Sequence, residues 1–467
     1  MKRRHFIKTS GAAVAGSMIL NPANASVFGF NEKKQRIALV GTGIRGTTFW
    51  GKTILRDFGD IVEYVGLCDI NPGRVETGKE FMGVDCPTFT DFDKMMQKTK
   101  PDKLIVTTVD ATHHEFIVKG LEYGADVITE KPMTTDEVRC QAILDAEKKH
   151  NRKIIVGFNY RYNPHYTKLK ELLMEKRVGR ITSVDFHWYL NVFHGASYFR
   201  RWHSIRAKSG TLLIHKASHH FDLLNWWIDS DPVEVYAYGM LEHYGINNEF
   251  RGPKCRGCKN REKCKFFWDI TGEPYLMKLY VENEHHDGYI RDSCVWRPEI
   301  DIYDKMAVQI KYANNVQVSY SLTTYSPYEG MRIAFNGMNG RIDAWDGIPW
   351  RRQEKINQAE LHAKEMEQKK EDGDSDYEEI FVSNNFGQSN LIKVPRERGG
   401  HGGGDMRLHD KIFRNPDQPD PFKHSAGSRD GAMSVLIGTA ARKSIDKGRP
   451  IKIAELTDLV PHPTRGV

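Results

Sequence analysis

The sequence predicts two successive domains, an α/β domain on a parallel sheet and then an α+β domain on a mainly antiparallel sheet. Three observations lead there. Between residues 36 and 157, short apolar runs alternate with helical patterns, as strand–helix–strand units do. From Ile181 onward, strand-like runs follow one another with only short polar breaks. The 467 residues, 39% of them hydrophobic, are enough for a core in each domain.

Residues 1–25 stand apart from both. Lys2-Arg3-Arg4-His5-Phe6-Ile7-Lys8 precedes a short apolar run from Gly11 to Leu20, and Ala23-Asn24-Ala25 follows as a small-residue cleavage site. This order reads as a twin-arginine signal peptide and hence a periplasmic or otherwise exported protein. The alternative is a basic tail before a short helix. The twin-arginine route carries proteins already folded, with any ligand already loaded. Cleavage would lower the net charge from +7 to about +3. No basic stripe with interleaved aromatics stands out, so nucleic acid is not an expected partner. Beyond the signal, no run is long enough to span a membrane.

The first domain is placed at residues 34–157. Arg36–Val40 reads as a buried strand running directly into Gly41-Thr42-Gly43-Ile44-Arg45-Gly46, and a helical pattern follows through Phe49, Trp50, Ile54, Leu55 and Phe58. In that context G-x-G-x-x-G marks a Rossmann dinucleotide turn. Gly41 permits the tight turn, Gly43 a close backbone approach to pyrophosphate, and Gly46 close helix–strand packing. Ile44 and Arg45 open the helix, whose free N–H groups suit phosphate. A second strand, Val62–Cys68, ends at Asp69, 23 residues beyond Gly46. A carboxylate there accepts both ribose hydroxyls of NAD and repels the 2′-phosphate of NADP, although Arg74 lies near enough to blur the preference. Further strands end at Thr107-Thr108, with His113 opening the next helix, and at Glu130-Lys131-Pro132. Ile154–Gly157 is the last.

These features resemble the glucose–fructose oxidoreductase/inositol dehydrogenase/MocA (Gfo/Idh/MocA) family. The resemblance rests on the glycine turn, Thr108 with His113, Glu130-Lys131-Pro132, Gly157-Phe158-Asn159-Tyr160-Arg161-Tyr162-Asn163-Pro164, Arg429-Asp430-Gly431 and Lys447-Gly448-Arg449-Pro450-Ile451. It implies NAD(H) held by Gly41, Gly43, Ile44, Arg45, Gly46, Asp69, Thr107, Thr108, His113, Glu130 and Lys131. It also implies a second domain, residues 158–458, with a large open sheet and a substrate cleft against the first.

Within that second domain the strand-like runs are Ile181–Tyr189, Val233–Gly239, Met306–Tyr312, Val316–Thr323 and Met331–Asn336. The family usually carries an Asp and, four residues later, a His on an active-site helix. Here His219 matches that His, but His215 stands where the Asp is expected. At i, i+4 the two imidazoles share a helix face, and Lys216 and His220 form a second such pair. Removing hydride from a secondary alcohol requires a base for the hydroxyl proton, and imidazole suits it near neutral pH. His219 is therefore the expected acid–base, Lys131 the group that polarises the oxygen, and His215 a partner or a sugar ligand. Tyr160, Arg161, Tyr198, Arg201, Trp202, Lys216 and His220 are expected to contribute to a sugar cleft. Gly399-Gly400-His401-Gly402-Gly403-Gly404-Asp405 resembles a stretch in exported, glycoside-active members, which would bring His401 or Asp405 to the cleft.

Four of the seven cysteines, Cys255, Cys258, Cys264 and Cys294, fall in a Cys-rich loop, residues 252–297. Tetrahedral structural zinc fits their number; disulfides and an iron–sulfur cluster are alternatives. A charged insertion covers 351–398, with a solvated helix over Gln358–Lys370 and a flexible acidic stretch over Glu371–Glu379.

The expected function is an exported NAD-dependent oxidoreductase acting on a sugar or glycoside, assembling as a dimer or tetramer through the open sheet. Two alternatives remain: an NAD-dependent glycosidase working by transient C3 oxidation with elimination and addition, and a non-catalytic sugar-binding protein. Export would require a retained cofactor. An hour's residence at an on-rate of roughly 10⁶ M⁻¹s⁻¹ needs a Kd near ~0.3 nM, attainable only if nearly all of the cofactor is enclosed.

Overall fold

The computed structural model describes residues 33–347, 377–397 and 400–465. The signal segment 1–25, the Gln358–Lys370 helix and most of the acidic stretch after it lie outside these residues. From Lys34 onward the described residues pack as one body.

In the first sheet, β1 (Gln35–Val40), β2 (Val62–Cys68), β3 (Thr88–Phe89), β4 (Lys103–Val106), β5 (Asp126–Thr129) and β6 (Ile154–Val156) pair in the order β3-β2-β1-β4-β5-β6. All pairings are parallel. Both faces are buried, which is why these strands read as unbroken apolar runs. Along β1, Ile37 and Leu39 enter one apolar cluster while Ala38 and Val40 enter the other. The strand order reverses between β1 and β4, so a crevice opens beyond their carboxyl ends, at Gly41 and Thr107.

The second sheet comprises β7 (Ile181–Asn191), β8 (Pro232–Met240), β9 (Lys305–Tyr312), β10 (Gln317–Ser326), β11 (Gly330–Gly337), β12 (Gly340–Asp346), β13 (Tyr377–Asn384), β14 (Ser389–Pro395) and β15 (Ile451–Lys452), in the order β14-β13-β12-β11-β7-β10-β9-β8-β15. Every pairing is antiparallel except β7 with β10. One face is covered and the other open. Along β9, Met306, Val308, Ile310 and Tyr312 are buried, whereas Ala307, Gln309 and Lys311 are exposed. Every residue of helix Ala217–Ile228 is buried, as befits a helix apolar nearly all round. This helix carries His219 and His220, and His215 lies on the short turn Leu212–His215 just before it.

The chain's last part returns to the first sheet and covers both its faces. Leu408, Ile412 and Phe413 join the Ile37 cluster, while Ala432 and Val435 join the Ala38 cluster. Part of the expected charged insertion is ordered sheet instead. Tyr377–Glu379 begin β13, which buries Ile380 and Val382 beneath its charged neighbours.

Candidate active site

At the end of β1 the glycine turn is fixed by steric need. Gly41 has φ +92°, and a Cβ there would lie 2.6 Å from the Thr107 carbonyl carbon. A Cβ on Gly46 would fall 2.2 Å from Gly41 O. Neither contact is tolerable, so backbone and helix start approach as closely as a pyrophosphate cradle requires. Thr107 Oγ1 donates to Gly41 O (2.6 Å) and so serves the turn itself. His113 faces Thr108 O and Pro132 O through its two ring nitrogens, tying together the loops after β4 and β5.

At the other end of the crevice, Asp69 Oδ2 accepts from Thr42 N (2.8 Å), and its Oδ1 accepts from Asn71 N (3.0 Å) and Arg74 Nη1 (3.1 Å). Arg74 Nη2 in turn donates to Asp287 Oδ2 (2.6 Å). One guanidinium between two carboxylates leaves the locality net negative, which favours ribose hydroxyls over a 2′-phosphate.

Asp287 belongs to the Cys-rich loop, which the sequence presented as a metal or disulfide staple. Among the described residues no group of three or more His, Cys, Asp or Glu side chains could hold a metal. The zinc expectation on Cys255, Cys258, Cys264 and Cys294 is therefore corrected, and all four are free thiols. Local donors occupy two of them. Arg200 Nη1 donates to Cys255 Sγ (2.9 Å), and Trp296 N to Cys294 Sγ (3.4 Å). The loop is closed instead by backbone pairing of Cys255 with Asp292 and Cys294 with Pro253, and by Arg256 bridging Asp292 and Glu284. It reaches across the crevice. Tyr280 Oη accepts from Ile44 N (2.8 Å), and Tyr275 Oη meets Thr47 Oγ1 (2.5 Å).

Between the two sheets lies a cavity of about 1030 Å³. It brings together Gly41, Gly43, Ile44, Arg45, Asp69, Thr107, Thr108, His113, Glu130 and Lys131 with Tyr160, Tyr198, Arg201, Trp202, His215, Lys216, His219 and His401. Gly46 supports this wall from behind. Arg161 and His220 are absent from it, and their expected substrate role is corrected. Arg161 is buried in a fork on Asp222 (2.5 and 2.8 Å) with Asp430 at 2.9 Å. His220 bonds Tyr320 Oη (2.7 Å) and stacks on Trp188 in the core. The Arg161 guanidinium is thus satisfied inside the fold, and His220 is anchored there through Nδ1, with its Nε2 buried and unpartnered.

Glu130 accepts from Arg45 Nε (2.5 Å) and Trp50 Nε1 (2.8 Å). Burial pushes its carboxyl up, but Arg45 and Lys131 outweigh this and hold it below its ordinary value. Lys131 Nζ donates to His215 O (3.0 Å). Burial brings its ammonium down to about 8, against the opposing pull of Glu130 and Asp110. His215 Nδ1 lies 2.6 Å from Asp110 Oδ2. Burial raises Asp110 and lowers His215, so the pair favours one shared proton over an ion pair. His219 stacks on Tyr160 at 4.2 Å and is also lowered by burial, with no hydrogen bond at Nδ1. His401 Nδ1 contacts Asp405 Oδ1 (2.8 Å), and its ring stands 6.3 Å from that of His219.

Sequence reading missed Asp110, His203, Tyr280, Asp287, Tyr289, Arg291 and Glu329, all in the cavity wall. Asp110 could have been sought from the unusual His215, which needed a carboxylate from elsewhere. The others carried no motif.

Comparison with known proteins gives a consistent pattern. Residues 35–158 match the oxidoreductase family's NAD-binding Rossmann fold, and residues 170–453 match its C-terminal alpha/beta domain, both of the Gfo/Idh/MocA type. YteT of Bacillus subtilis (strain 168), an oxidoreductase by name, is 35% identical over 446 residues, covering 90% of this chain and 98% of YteT. An inositol 2-dehydrogenase/D-chiro-inositol 3-dehydrogenase of Lactiplantibacillus plantarum is 24% identical over 217 residues, 46% of this chain and 58% of that protein. The solved structure of a levoglucosan dehydrogenase with NADH and levoglucosan shares the fold. Its TM-score is 0.61 at 17% identity, over 90% of this chain and 100% of that one.

Proposed function

Because the chain belongs to the Gfo/Idh/MocA family of NAD-binding oxidoreductases, we propose that it moves hydride between a sugar or glycoside hydroxyl and a tightly held NAD(H). One observation carries this reading: Lys131, His215 and His219 open into the same cavity as the glycine turn and Asp69. The residues present fit NAD: only glycine at positions 41 and 46 lets the turn close against the backbone, where a Cβ would clash, and Asp69 suits the ribose, while Ile44 N is held by Tyr280 Oη of the loop over the crevice. NAD, when bound, supplies the hydride acceptor.

The chain's own residues manage the proton and the orientation. Lys131 as ammonium holds and polarises the substrate oxygen. His219, kept neutral by burial, is an acceptor for the hydroxyl proton. The carboxylate that position 215 lacks comes from across the cleft: Asp110 grips His215 Nδ1, leaving a second imidazole able to relay a proton. Tyr160 and Trp188, with Lys216 Nζ 5.4 and 5.0 Å from their ring centres, form an aromatic wall suited to the C–H face of a sugar.

The glycosidase reading is favoured by a further observation. His401 with Asp405, and His215 with Asp110, are two carboxylate-partnered imidazoles, as elimination and addition require beyond the oxidation itself. We also retain export through the twin-arginine route, with the 275–287 strap over the crevice as the feature that would keep the cofactor bound. The open sheet face, with Tyr238, Phe381 and Leu391 exposed, is the expected contact between copies. Incubation with assorted glycosides decides the chemistry. A ketosugar accompanied by NADH is the expected product; free sugar with no net cofactor change would replace it with the glycosidase, and neither product would reject both.

A further inference from the structure

We infer that Arg201 and Arg291 form a subsite for a carboxylate on the sugar, so that the substrate class is an acidic sugar such as a uronide. This rests on the reading of the cavity as a sugar oxidoreductase site. Both arginines line that cavity with Lys131 and His219. On the dinucleotide side of the same wall each guanidinium has a carboxylate partner. Arg45 is paired with Glu130 (2.5 Å), and Arg74 with Asp69 (3.1 Å) and Asp287 (2.6 Å). Among the described residues, Arg201 and Arg291 form no salt bridge.

Arg201 donates through Nε to Ser197 O (2.9 Å) and lies 5.2 Å from the Tyr198 ring centre. Arg291 lies 5.0 Å from that of Tyr280, and its buried Nε has no hydrogen-bond partner. Each is within electrostatic reach of the other. Burial and the Arg291 charge push Arg201 down to about 10, which still leaves it cationic at neutral pH. Two like charges without a counter-ion in a half-buried wall are unfavourable until an anion arrives. Arginine's planar fork matches a carboxylate. Asp110 is the nearby acid, and His215 already engages it.

The location selects the substrate as the source of that anion. His203 is depressed by burial and then by Arg201, Lys131 and Arg291, so three cations surround one point beside the catalytic lysine. At the adenosine end, Asp69 and Asp287 would repel an anion instead. The other anion at hand is the dinucleotide pyrophosphate, whose cradle is the Gly41–Gly46 turn.

The test is calorimetric titration of the NAD-loaded protein with methyl glucuronide, galacturonide and mannuronide against the parent neutral methyl glycosides. At least one uronide should bind about tenfold or more tightly than its neutral parent. Arg201→Gln and Arg291→Gln should each erase that preference, the uronide losing at least about tenfold more affinity than its neutral parent, with the NAD content retained. If a Gln variant fails to fold, Arg201→Lys must still weaken the uronide selectively, because it keeps the charge and loses the fork. Equal or tighter binding of the neutral sugars across the panel overturns the proposal. So do variants that shed NAD yet keep the uronide preference, because the arginines would then belong to the pyrophosphate. Turnover separates this inference from the reading beneath it. Selective uronide binding without nicotinamide reduction by any sugar refutes the oxidoreductase and keeps the subsite. Reduction by neutral glycosides alone refutes the subsite and keeps the oxidoreductase.

Discussion

Lys131 is pulled two ways: burial drives off its proton, while Glu130 and Asp110 hold it, and the ammonium ends at about 8. If it must be charged to polarise the sugar oxygen, kcat for oxidation falls as pH rises through about 8, because the lysine loses its charge there. Lys131→Arg, charged throughout, should remove that fall at a lower overall rate; a wild-type rate that rises through the same window would make Lys131 a base instead. A pH–kcat profile at saturating sugar reads either outcome. Other residues of the site were only partly legible. Lys131 and His219 sit in short motifs, so sequence found them. Asp110 and His215 lie 105 positions apart and meet only through the fold. Arg161 and His220 misled because side-chain type says nothing of partners, and Asp222 and Tyr320 hold them in the core.

Among elements, five of the six parallel strands were readable because both faces are buried and each run leads into Gly, Asp, Thr or Glu; the two-residue β3 is too short to show a pattern. β12 to β14 were not. Their single buried face is carried by a few apolar residues such as Ile342, Ile380 and Val382 in a charged stretch. The Cys-rich loop is the opposite case. Its cysteines drew attention, while its working residues lie between them: Tyr280 on Ile44 N, Asp287 on Arg74, and Arg291 in the cavity wall. This loop makes a prediction about cofactor choice. Asp287→Asn removes one of the two carboxylates flanking Arg74 and leaves the guanidinium freer to meet a 2′-phosphate. NADP affinity should rise by about tenfold, with NAD affinity changed by less than ~threefold. Unchanged NADP affinity, measured by fluorescence titration of the reduced cofactors, would show that Asp69 alone sets the preference.

At the scale of the whole molecule, the two sheets are joined by more than a linker. Residues from the chain's last part cover both faces of the parallel sheet, so the crevice and the facing wall of the cavity belong to one packed body. The loop over the crevice then encloses what binds there. The central claim is that a sugar hydroxyl reduces NAD held in this cavity, with Lys131 at the reacting oxygen. Rapid mixing of the NAD-loaded protein with the glycoside and uronide panel, followed by NADH absorbance in a single turnover, tests it most directly. The account predicts about one NADH per cavity with at least one sugar, and a loss of roughly a thousandfold or more in that rate for Lys131→Ala while NAD stays bound. No reduction with any sugar, or an undiminished rate in Lys131→Ala, would contradict it.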